Sequence, residues 1–351
     1  MTHWLDALDL RAPVWQAPMA GSQHHVLAAA VSMAGGLGAL PAAMLTPEAL
    51  RESMAALRQL TPRPFQVNFF CHQPPALDAD ALRRWSQALR PYYLEQGLDA
   101  EAIPQGPGRT PFSAEMLAVL REAPPAVVSF HFGLPPMDLL QSVKALGCKV
   151  VSSATTVQEA LWLEQHGVDA IVAQGLEAGG HRGMFLSTDL NTQQGLFVLL
   201  PQIVRAVRVP VIAAGGIVTA DSVRAACALG AAGVQVGTAY LKTPEAATSA
   251  VHRAALRTAQ GSDTALTVLF SGRPARGIVN RLMRELGPLH PAAPAFPLAT
   301  AGVAPLRAAA EAQGLGDFSP LWSGQHVAAA RECSAAELTN ELIAAWHSRR
   351  D

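Results

Sequence analysis

Short apolar runs alternate with helical segments along the chain, and this alternation constrains the fold more than any other feature. Eight runs predict buried strands: 14–17, 36–40, 65–69, 126–131, 149–153, 169–174, 209–213 and 233–236. Helix N-caps follow several of them, as at Thr46 and Thr156. Eight strands, each followed by a helix, predict an α/β fold of the (β/α)8 TIM-barrel type. An open doubly wound sheet is the alternative for such alternation, but the count of eight and the similarity of the later units favour the barrel.

Two segments interrupt the repeat. Residues 71–112, after the third strand, are too long for an ordinary loop and contain a helical stretch at about 80–89. We expect a helical insertion there that could cover the barrel mouth. Beyond residue 241 the pattern predicts helices at 245–259, 303–313 and 335–348. The predicted organisation is a barrel at 1–241 and a C-terminal helical extension at 242–351 packed on it.

Composition excludes several classes of protein. Half of the residues are apolar and 15% are charged, which excludes intrinsic disorder. Lys and Arg number 26 against 27 Asp and Glu, so the basic excess of a nucleic-acid-binding protein is absent. The apolar stretches 209–218 and 225–241 are too short or too glycine-rich for a membrane span, and the N-terminus lacks the basic cluster of a secretory signal. Four widely spaced cysteines without zinc or redox spacing predict reduced thiols and a cytoplasmic protein.

Glycines follow the last two predicted strands. Gly215 and Gly216 come after the seventh strand, and Gly237 and Thr238 come after the eighth. The functional groups of a barrel collect at these strand ends, and glycines let backbone N–H groups approach a phosphate. The pair of sites therefore predicts phosphate binding, with simple turn geometry as the alternative. Since no basic residue adjoins either site in the sequence, backbone amides would hold the phosphate of a flavin mononucleotide or of a sugar.

Histidines supply the candidates for proton transfer. His181 follows the sixth strand in the glycine-framed loop EAGGHRG, where its imidazole could face a ligand, and we predict that it is catalytic. The alternative is a histidine in a surface loop. His131 ends the fourth strand and could line the substrate pocket or pack in the core, and His24 is a further candidate for the pocket. Because the adjacent His24 and His25 point in different directions, no metal site is expected.

Motifs along nearly the whole chain carry a resemblance to a known family. They are APMAG (17–21), AGGLGAL (34–40), VNFF (67–70), SFHFGLP (129–135), SSATTVQEA (152–160), DAIVAQGLEAGGHRG (169–183), PVIAAGGI (210–217), GVQVGTAYL (233–241), FSGRPARGIVN (270–280) and LWSGQ (321–325). They resemble the nitronate monooxygenase family, formerly called 2-nitropropane dioxygenases, whose members are barrels that bind flavin mononucleotide (FMN). QGLEAGGHRG is the most specific stretch and resembles the bacterial type.

The resemblance implies a role for each matching residue. Pro18, Met19 and Ala20 would run along the flavin ring, and Asn68 and Gln174 would hydrogen-bond the ring or the ribityl chain. The ribityl phosphate would lie against Gly179, Gly180, Gly215, Gly216, Gln235, Val236, Gly237 and Thr238. His181 would face the ring as the acid/base group.

The implied reaction is FMN-dependent oxidation of a nitronate by O₂ to a carbonyl compound and nitrite. His181 would position the anionic nitro group, or remove the α-proton of a neutral nitroalkane. One alternative is an FMN-dependent NAD(P)H reductase, resembling an enoyl-acyl-carrier-protein reductase or a quinone reductase. Another is a non-catalytic flavin-binding protein. The expected partners are a small-molecule substrate and O₂, with no nucleic acid or membrane, and the chain is expected to be a monomer or a homodimer.

Overall fold

The computed structural model describes residues 4–76, 78–106 and 109–348 and contains two β-sheets. The strands are β1 (Val14–Gln16), β2 (Gly38–Pro41), β3 (Phe65–Phe70), β4 (Val127–His131), β5 (Lys149–Ala154), β6 (Ala170–Gln174), β7 (Gly180–His181), β8 (Val211–Ala214), β9 (Gly233–Val236), β10 (Thr264–Thr267) and β11 (Ala275–Ile278). Eight of them form the larger sheet, in the order β1-β9-β8-β6-β5-β4-β3-β2, and all its ladders are parallel.

The larger sheet closes between its two end strands. The N–H of Gln16 donates to the carbonyl of Leu37 at 2.9 Å, and the N–H of Leu37 donates to the carbonyl of Val14 at 2.9 Å. Closure leaves the barrel without an exposed edge, and its strands are buried almost along their whole length. The predicted (β/α)8 barrel is therefore confirmed, with strand ends that differ from the sequence prediction by at most two residues.

Helices cover the outside of the barrel and build the added segments. They are α1 (His25–Met33), α2 (Pro47–Leu60), α3 (Ala79–Glu95), α4 (Ala114–Glu122), α5 (Met137–Ala145), α6 (Val157–Gln165), α7 (Leu196–Ala206), α8 (Ala220–Ala228), α9 (Thr238–Leu241), α10 (Ala250–Thr258), α11 (Arg281–Leu286), α12 (Ala299–Ala312) and α13 (Ala335–His347). Thr46 and Thr156 cap α2 and α6 with their side chains, as predicted. Among the described residues, no helix combines the length and the apolar character that a bilayer span requires.

The last helix completes the ring around the barrel. The helix that follows β9 is α9, which has a single turn, and α13 packs against α8, α1 and β1. Tyr240 and Thr339 join α9 to α13 through a buried hydrogen bond of 2.8 Å between their hydroxyl groups. The C-terminal segment thus supplies the eighth outer helix, and the division of the chain at residue 241 stays a prediction.

The smaller sheet was not predicted from the sequence. Its strands β10 and β11 belong to the C-terminal extension, and β11 pairs with β7, so that Ala275 lies opposite His181. The extension therefore contains the expected helices and two strands besides. Both strands have only four residues and lack a clear apolar alternation, which leaves little local signal for either. β10 pairs with β11, and β11 alone pairs with the distant residues 180 and 181.

The insertion after β3 packs against the extension. Its helix α3 contains the predicted stretch 80–89 and continues to Glu95. Trp85 donates its indole N–H to the carbonyl of Ala299 at 3.3 Å, and the Tyr93 hydroxyl donates to the carbonyl of Gly302 at 2.7 Å. Residues 77, 107 and 108 of the predicted insertion, and both chain ends, lie outside the described residues.

Candidate functional site

A cavity opens at the carboxyl ends of the barrel strands. Most of the predicted site residues line it: Pro18, Met19, Ala20, Asn68, His131, Gln174, Gly179, Gly180, His181, Gly215, Gly216, Gln235, Gly237 and Thr238. Segments from outside the barrel close it, namely Arg109 at the end of the insertion and Trp322, Gly324 and His326 of the extension. The barrel fold places the strand ends together, and the two added segments complete the wall.

Two predicted residues lie elsewhere. The side chain of Val236 is fully buried in the main hydrophobic core, and its carbonyl accepts a hydrogen bond from the N–H of Ala17 at 2.8 Å. His24 is exposed on the surface and immediately precedes α1. Neither residue lines the cavity, because Val236 points away from it in the strand alternation and because the chain has already left the mouth at His24.

Glycines form part of the cavity wall. Gly216 has φ +70° and Gly180 has φ +71°, a backbone region that favours glycine, and a Cβ added at Gly180 would meet nothing within 4 Å. Within the described residues, the N–H groups of Gly216, Ile217, Gly237 and Thr238 have no hydrogen-bond acceptor. Neighbouring N–H groups without acceptors around an open space make a binding site for an anion. We call these four residues the glycine cradle.

Aromatic rings surround His181 in the same cavity. The ring centroids of Phe70, Phe132, Phe296 and Trp322 lie 5.9, 5.9, 5.5 and 5.5 Å from that of the imidazole. Two of these rings come from the C-terminal extension. We call these four residues the aromatic cage, and they keep the imidazole in a largely apolar environment.

The environment of His181 favours the neutral imidazole. Burial holds its pKa well below the usual value of 6.5, and the positive charge of Arg109 acts in the same direction. Its Nε2 lies 2.9 Å from the hydroxyl oxygen of Ser271. Within the described residues Nδ1 has no hydrogen-bond partner, so this nitrogen is available to a ligand. Neutral His181 can therefore accept a proton at pH 7.

The main chain of His181 is held in place by two side chains. His131 donates from Nε2 to the carbonyl of His181 at 3.1 Å, and Gln174 donates to the same carbonyl at 2.9 Å. The other ring nitrogen of His131 lies 2.5 Å from the hydroxyl of Ser153, so both nitrogens are engaged. Burial lowers the pKa of His131 to about 3. His131 therefore positions His181 as a neutral side chain, with no nitrogen left for proton transfer.

Gln174 and Asn68, two polar residues of the predicted cofactor site, differ in which side-chain atoms remain available to a ligand. Gln174 also accepts from the N–H of Gly183 at 2.7 Å, so both ends of its amide serve the loop that carries His181. Asn68 donates to the carbonyl and hydroxyl of Ser129 at 3.2 and 3.0 Å. Its side-chain oxygen has no partner among the described residues and remains available to a ligand's N–H.

Arg182 and Glu177, which flank the histidine loop, have structural contacts. The fully buried guanidinium of Arg182 donates to the carbonyls of Gly175 and Gln174 at 2.7 and 2.8 Å and thereby fixes the end of β6. The carboxylate of Glu177 accepts from the N–H of Leu196 at 2.9 Å, at the start of α7.

Sequence reasoning missed several residues of the site. Ser271, Phe296 and His326 lie far along the chain from the barrel strands. Ser271 belongs to the motif FSGRPARGIVN (270–280), but the motif alone does not indicate which of its residues reaches the site. Arg109 lines the cavity, and its Nη1 is buried without a hydrogen-bond partner. The structure also shows, among its described residues, no group of three His, Cys, Asp or Glu side chains placed to hold a metal ion.

The structure is a (β/α)8 barrel with a cavity that is lined by both the glycine cradle and the buried, neutral His181. A sequence model of the family described as nitronate monooxygenase matches residues 2–345. A nitronate monooxygenase of Pseudomonas aeruginosa is 41% identical over 338 residues, with 96% of each chain covered. A probable nitronate monooxygenase of Bacillus subtilis is 37% identical over 348 residues, which cover 97% of this chain and 98% of the relative.

Solved structures give the same relationship. A nitroalkane oxidase from Streptomyces ansochromogenes superposes with a TM-score of 0.90 and 40% identity, with 99% of each chain covered. A mutant of FabK from Thermotoga maritima is more distant, with a TM-score of 0.72 and 27% identity over 98% of this chain and 95% of that one. The chain belongs to the nitronate monooxygenase family, a family of flavin-dependent oxidoreductases.

Proposed function

We propose that this chain binds FMN in the cavity and uses it to oxidise nitronates with O₂, which yields a carbonyl compound and nitrite. The names of the relatives from Pseudomonas aeruginosa and Streptomyces ansochromogenes support a nitro compound as the substrate. The observation that carries the proposal is the pairing, in one cavity, of the glycine cradle with a neutral His181 in the aromatic cage.

The residues present fit a flavin phosphate and ring. The cradle offers N–H groups to the phosphate, and an added side chain at Gly180 would project into open space that a ligand can fill. The chain Pro18-Met19-Ala20 lies along the cavity wall where a flat ring can rest, and the free oxygen of Asn68 can accept from a ring N–H. The bound flavin supplies the electron transfer between nitronate and O₂.

Ser271 allows His181 to serve two forms of the substrate. The Ser271 hydroxyl accepts from the N–H of Arg273 and can donate to the carbonyl of the same residue, each at 3.4 Å. It can therefore accept from Nε2–H of His181, which leaves Nδ1 as a base for the α-proton of a nitroalkane. It can also donate to Nε2, which places a proton on Nδ1 that is donated to an anionic nitronate oxygen.

The cage and the surrounding cations prepare the site for an anion. The aromatic rings exclude water from one side of the imidazole, which strengthens the electrostatic interactions within the cavity. Arg109, whose Nη1 has no hydrogen-bond partner among the described residues, adds positive charge beside the aromatic cage, 5.8 Å from the Phe296 ring. A nitronate is thereby stabilised relative to its neutral conjugate acid, so the proton that Nδ1 removes is easier to take.

The replacement His181→Asn tests this role. Both forms of one nitro compound are assayed with wild type and variant. We expect the variant to keep its flavin and to lose about 10²–10⁴-fold in kcat/KM on the neutral nitroalkane, because the general base is absent. The loss on the preformed nitronate should be smaller, since no proton has to be removed. The matched control is His347→Asn, at an exposed histidine on α13. Wild-type activity of His181→Asn on both forms would refute the assignment.

Anaerobic mixing separates this function from the alternatives. We expect a nitronate to bleach the flavin absorbance of the purified protein rapidly and NAD(P)H to leave it unchanged. Rapid bleaching by NAD(P)H alone would instead identify a reductase. A protein that holds flavin but is bleached by neither would be a binding protein.

The compartment and the assembly also belong to the proposal. The four cysteines, Cys71, Cys148, Cys227 and Cys333, are free thiols, which supports a reducing compartment such as the cytoplasm. A monomer or a homodimer remains the expected state, and light scattering of the purified protein measures it.

A further inference from the structure

The basic residues of the cavity fall into two separate groups. His131 and His181 are joined by the hydrogen bond between Nε2 and the carbonyl, and Arg109 lies against the same aromatic cage, 5.8 Å from the Phe296 ring. Among the described residues no contact joins His326 to this group, and His326 lies beside the glycine cradle instead. Its Nδ1 is 2.8 Å from the carbonyl oxygen of Gly216, one of the residues of the cradle.

The contact with Gly216 determines what the other ring nitrogen of His326 can do. A carbonyl oxygen only accepts hydrogen bonds, so Nδ1 of His326 carries the proton and donates. Its Nε2 has no partner among the described residues, and His326 lines the cavity. As an imidazolium, His326 would donate from Nδ1 to Gly216 and from Nε2 to a ligand beside the cradle.

The segment that carries His326 is held firmly against the cradle. The N–H of Gly324 donates to the Thr238 hydroxyl at 2.9 Å, and the N–H of Gln325 donates to the Glu177 carbonyl at 2.9 Å. A Cβ added at Gly324 would lie 2.8 Å from that carbonyl, so the close approach depends on glycine. His326 therefore has a fixed position beside the cradle.

We propose that His326 is a phosphate-binding residue of the FMN site and supplies the positive charge that the glycine cradle lacks. The proposal rests on the proposed function, since it takes FMN as the ligand. The phosphate group of FMN is an anion, and a charge-assisted hydrogen bond from an imidazolium is stronger than one from a neutral amide. The sequence shows no basic residue beside the glycines because the charge comes from a loop about 90 residues beyond Thr238.

A comparison of two flavins tests this role. Riboflavin has the same ring and ribityl chain as FMN but no phosphate. Flavin-free protein is titrated with each flavin, and the quenching of flavin fluorescence gives the Kd. We expect His326→Ala to raise the Kd for FMN about tenfold or more, the effect of losing a charged hydrogen bond, and to leave the Kd for riboflavin unchanged. His326→Gln retains a donor without the charge and should fall between wild type and His326→Ala. His347→Ala, which removes another imidazole bonded to a backbone carbonyl, is the control.

Each outcome has one meaning. An unchanged Kd for FMN in both His326 variants would overturn the proposal, and so would equal weakening of both flavins, which would show that His326 only supports the fold at Gly216. If His326→Ala does not fold, His326→Gln decides the question by the same comparison. Failure of the wild type to bind either flavin would instead refute the proposed cofactor.

Discussion

Buried neutral histidines should make this protein unusually sensitive to mild acid. Burial lowers the pKa of His131 to about 3 and that of His252 to about 4. In the unfolded chain both would titrate near 6.5. Between these values the unfolded state binds a proton that the folded state does not, so stability falls as the pH drops below about 6.5. His181, with its lowered pKa, contributes in the same direction.

The size of the effect follows from these values. At pH 5 each of the two histidines lowers the free energy of unfolding of the protein by about 2 kcal/mol relative to pH 8, and together they lower it by about 4 kcal/mol. This is a large part of a typical free energy of unfolding of about 5–15 kcal/mol. Carboxylates with ordinary pKa values near 4 titrate mainly below this window, so they contribute little to the loss.

Urea unfolding of the flavin-free protein at pH 8, 7, 6 and 5 measures the effect. His252→Gln is the informative variant, because the glutamine amide can still donate to the carbonyl of Trp322, which lies 3.0 Å from the His252 Nε2. This variant should lose about 2 kcal/mol less than wild type between pH 8 and pH 5. His347→Gln, at an exposed position, should lose as much as wild type. The reasoning is refuted if His252→Gln loses as much stability as wild type, or if wild-type stability is constant over this range.

Three further results are expected. Gly237→Val should lose FMN with little change in Tm, because a Cβ there meets Ala17 at an ordinary 3.5 Å and the added methyl groups extend into the cavity. The ratio of flavin absorbance to protein absorbance measures the occupancy, with Gly106→Val as the control. Full occupancy in Gly237→Val would show that the phosphate lies elsewhere. Ser271→Ala should lower kcat about fivefold on both substrate forms, because one hydrogen bond to His181 is lost, and it should shift the ¹⁵N resonances of His181. Ser271→Thr should restore the kcat and the resonances. Unchanged resonances in Ser271→Ala would contradict a role of Ser271 in setting the tautomer of His181. Finally, kcat/KM on a neutral nitroalkane should show no acid limb near pH 6.5, since the pKa of His181 is lowered; a histidine-like limb there would mean that His181 is not the base.

The sequence predicted the barrel because each of its strands forms within a local pattern. An apolar run such as Lys149–Ala154, followed by the capping residue Thr156, specifies both its strand and the next helix. The smaller sheet has no such local signal. The two-residue strand β7 becomes a strand only because β11, about 95 residues later, lies beside it. The formation of β7 depends on a tertiary contact, which a short stretch of sequence does not reveal.

The difference between local patterns and distant contacts also explains which parts of the site could be predicted from the sequence. Glycines 215, 216 and 237 were predicted because they directly follow strands, and the barrel brings strand ends together. The aromatic cage was not predicted, since Phe70, Phe296 and Trp322 come from three distant segments and are ordinary aromatic residues in the sequence. His24 was a further candidate for the pocket, but it is exposed and does not line the cavity, although Ser22, two residues earlier, does.

The positions of the missed residues carry a physical consequence. Ser271, Phe296, Trp322 and His326 all lie beyond residue 241, and they contact His181 or Gly216 of the barrel. The extension also provides α13, which covers the barrel between α8 and α1. The cavity wall is incomplete without this segment, and the faces of α8 and α1 that the segment buries would otherwise meet water. This packing favours folding of the barrel and the extension as one cooperative unit, in which binding at the cradle and order in the cage stabilise each other.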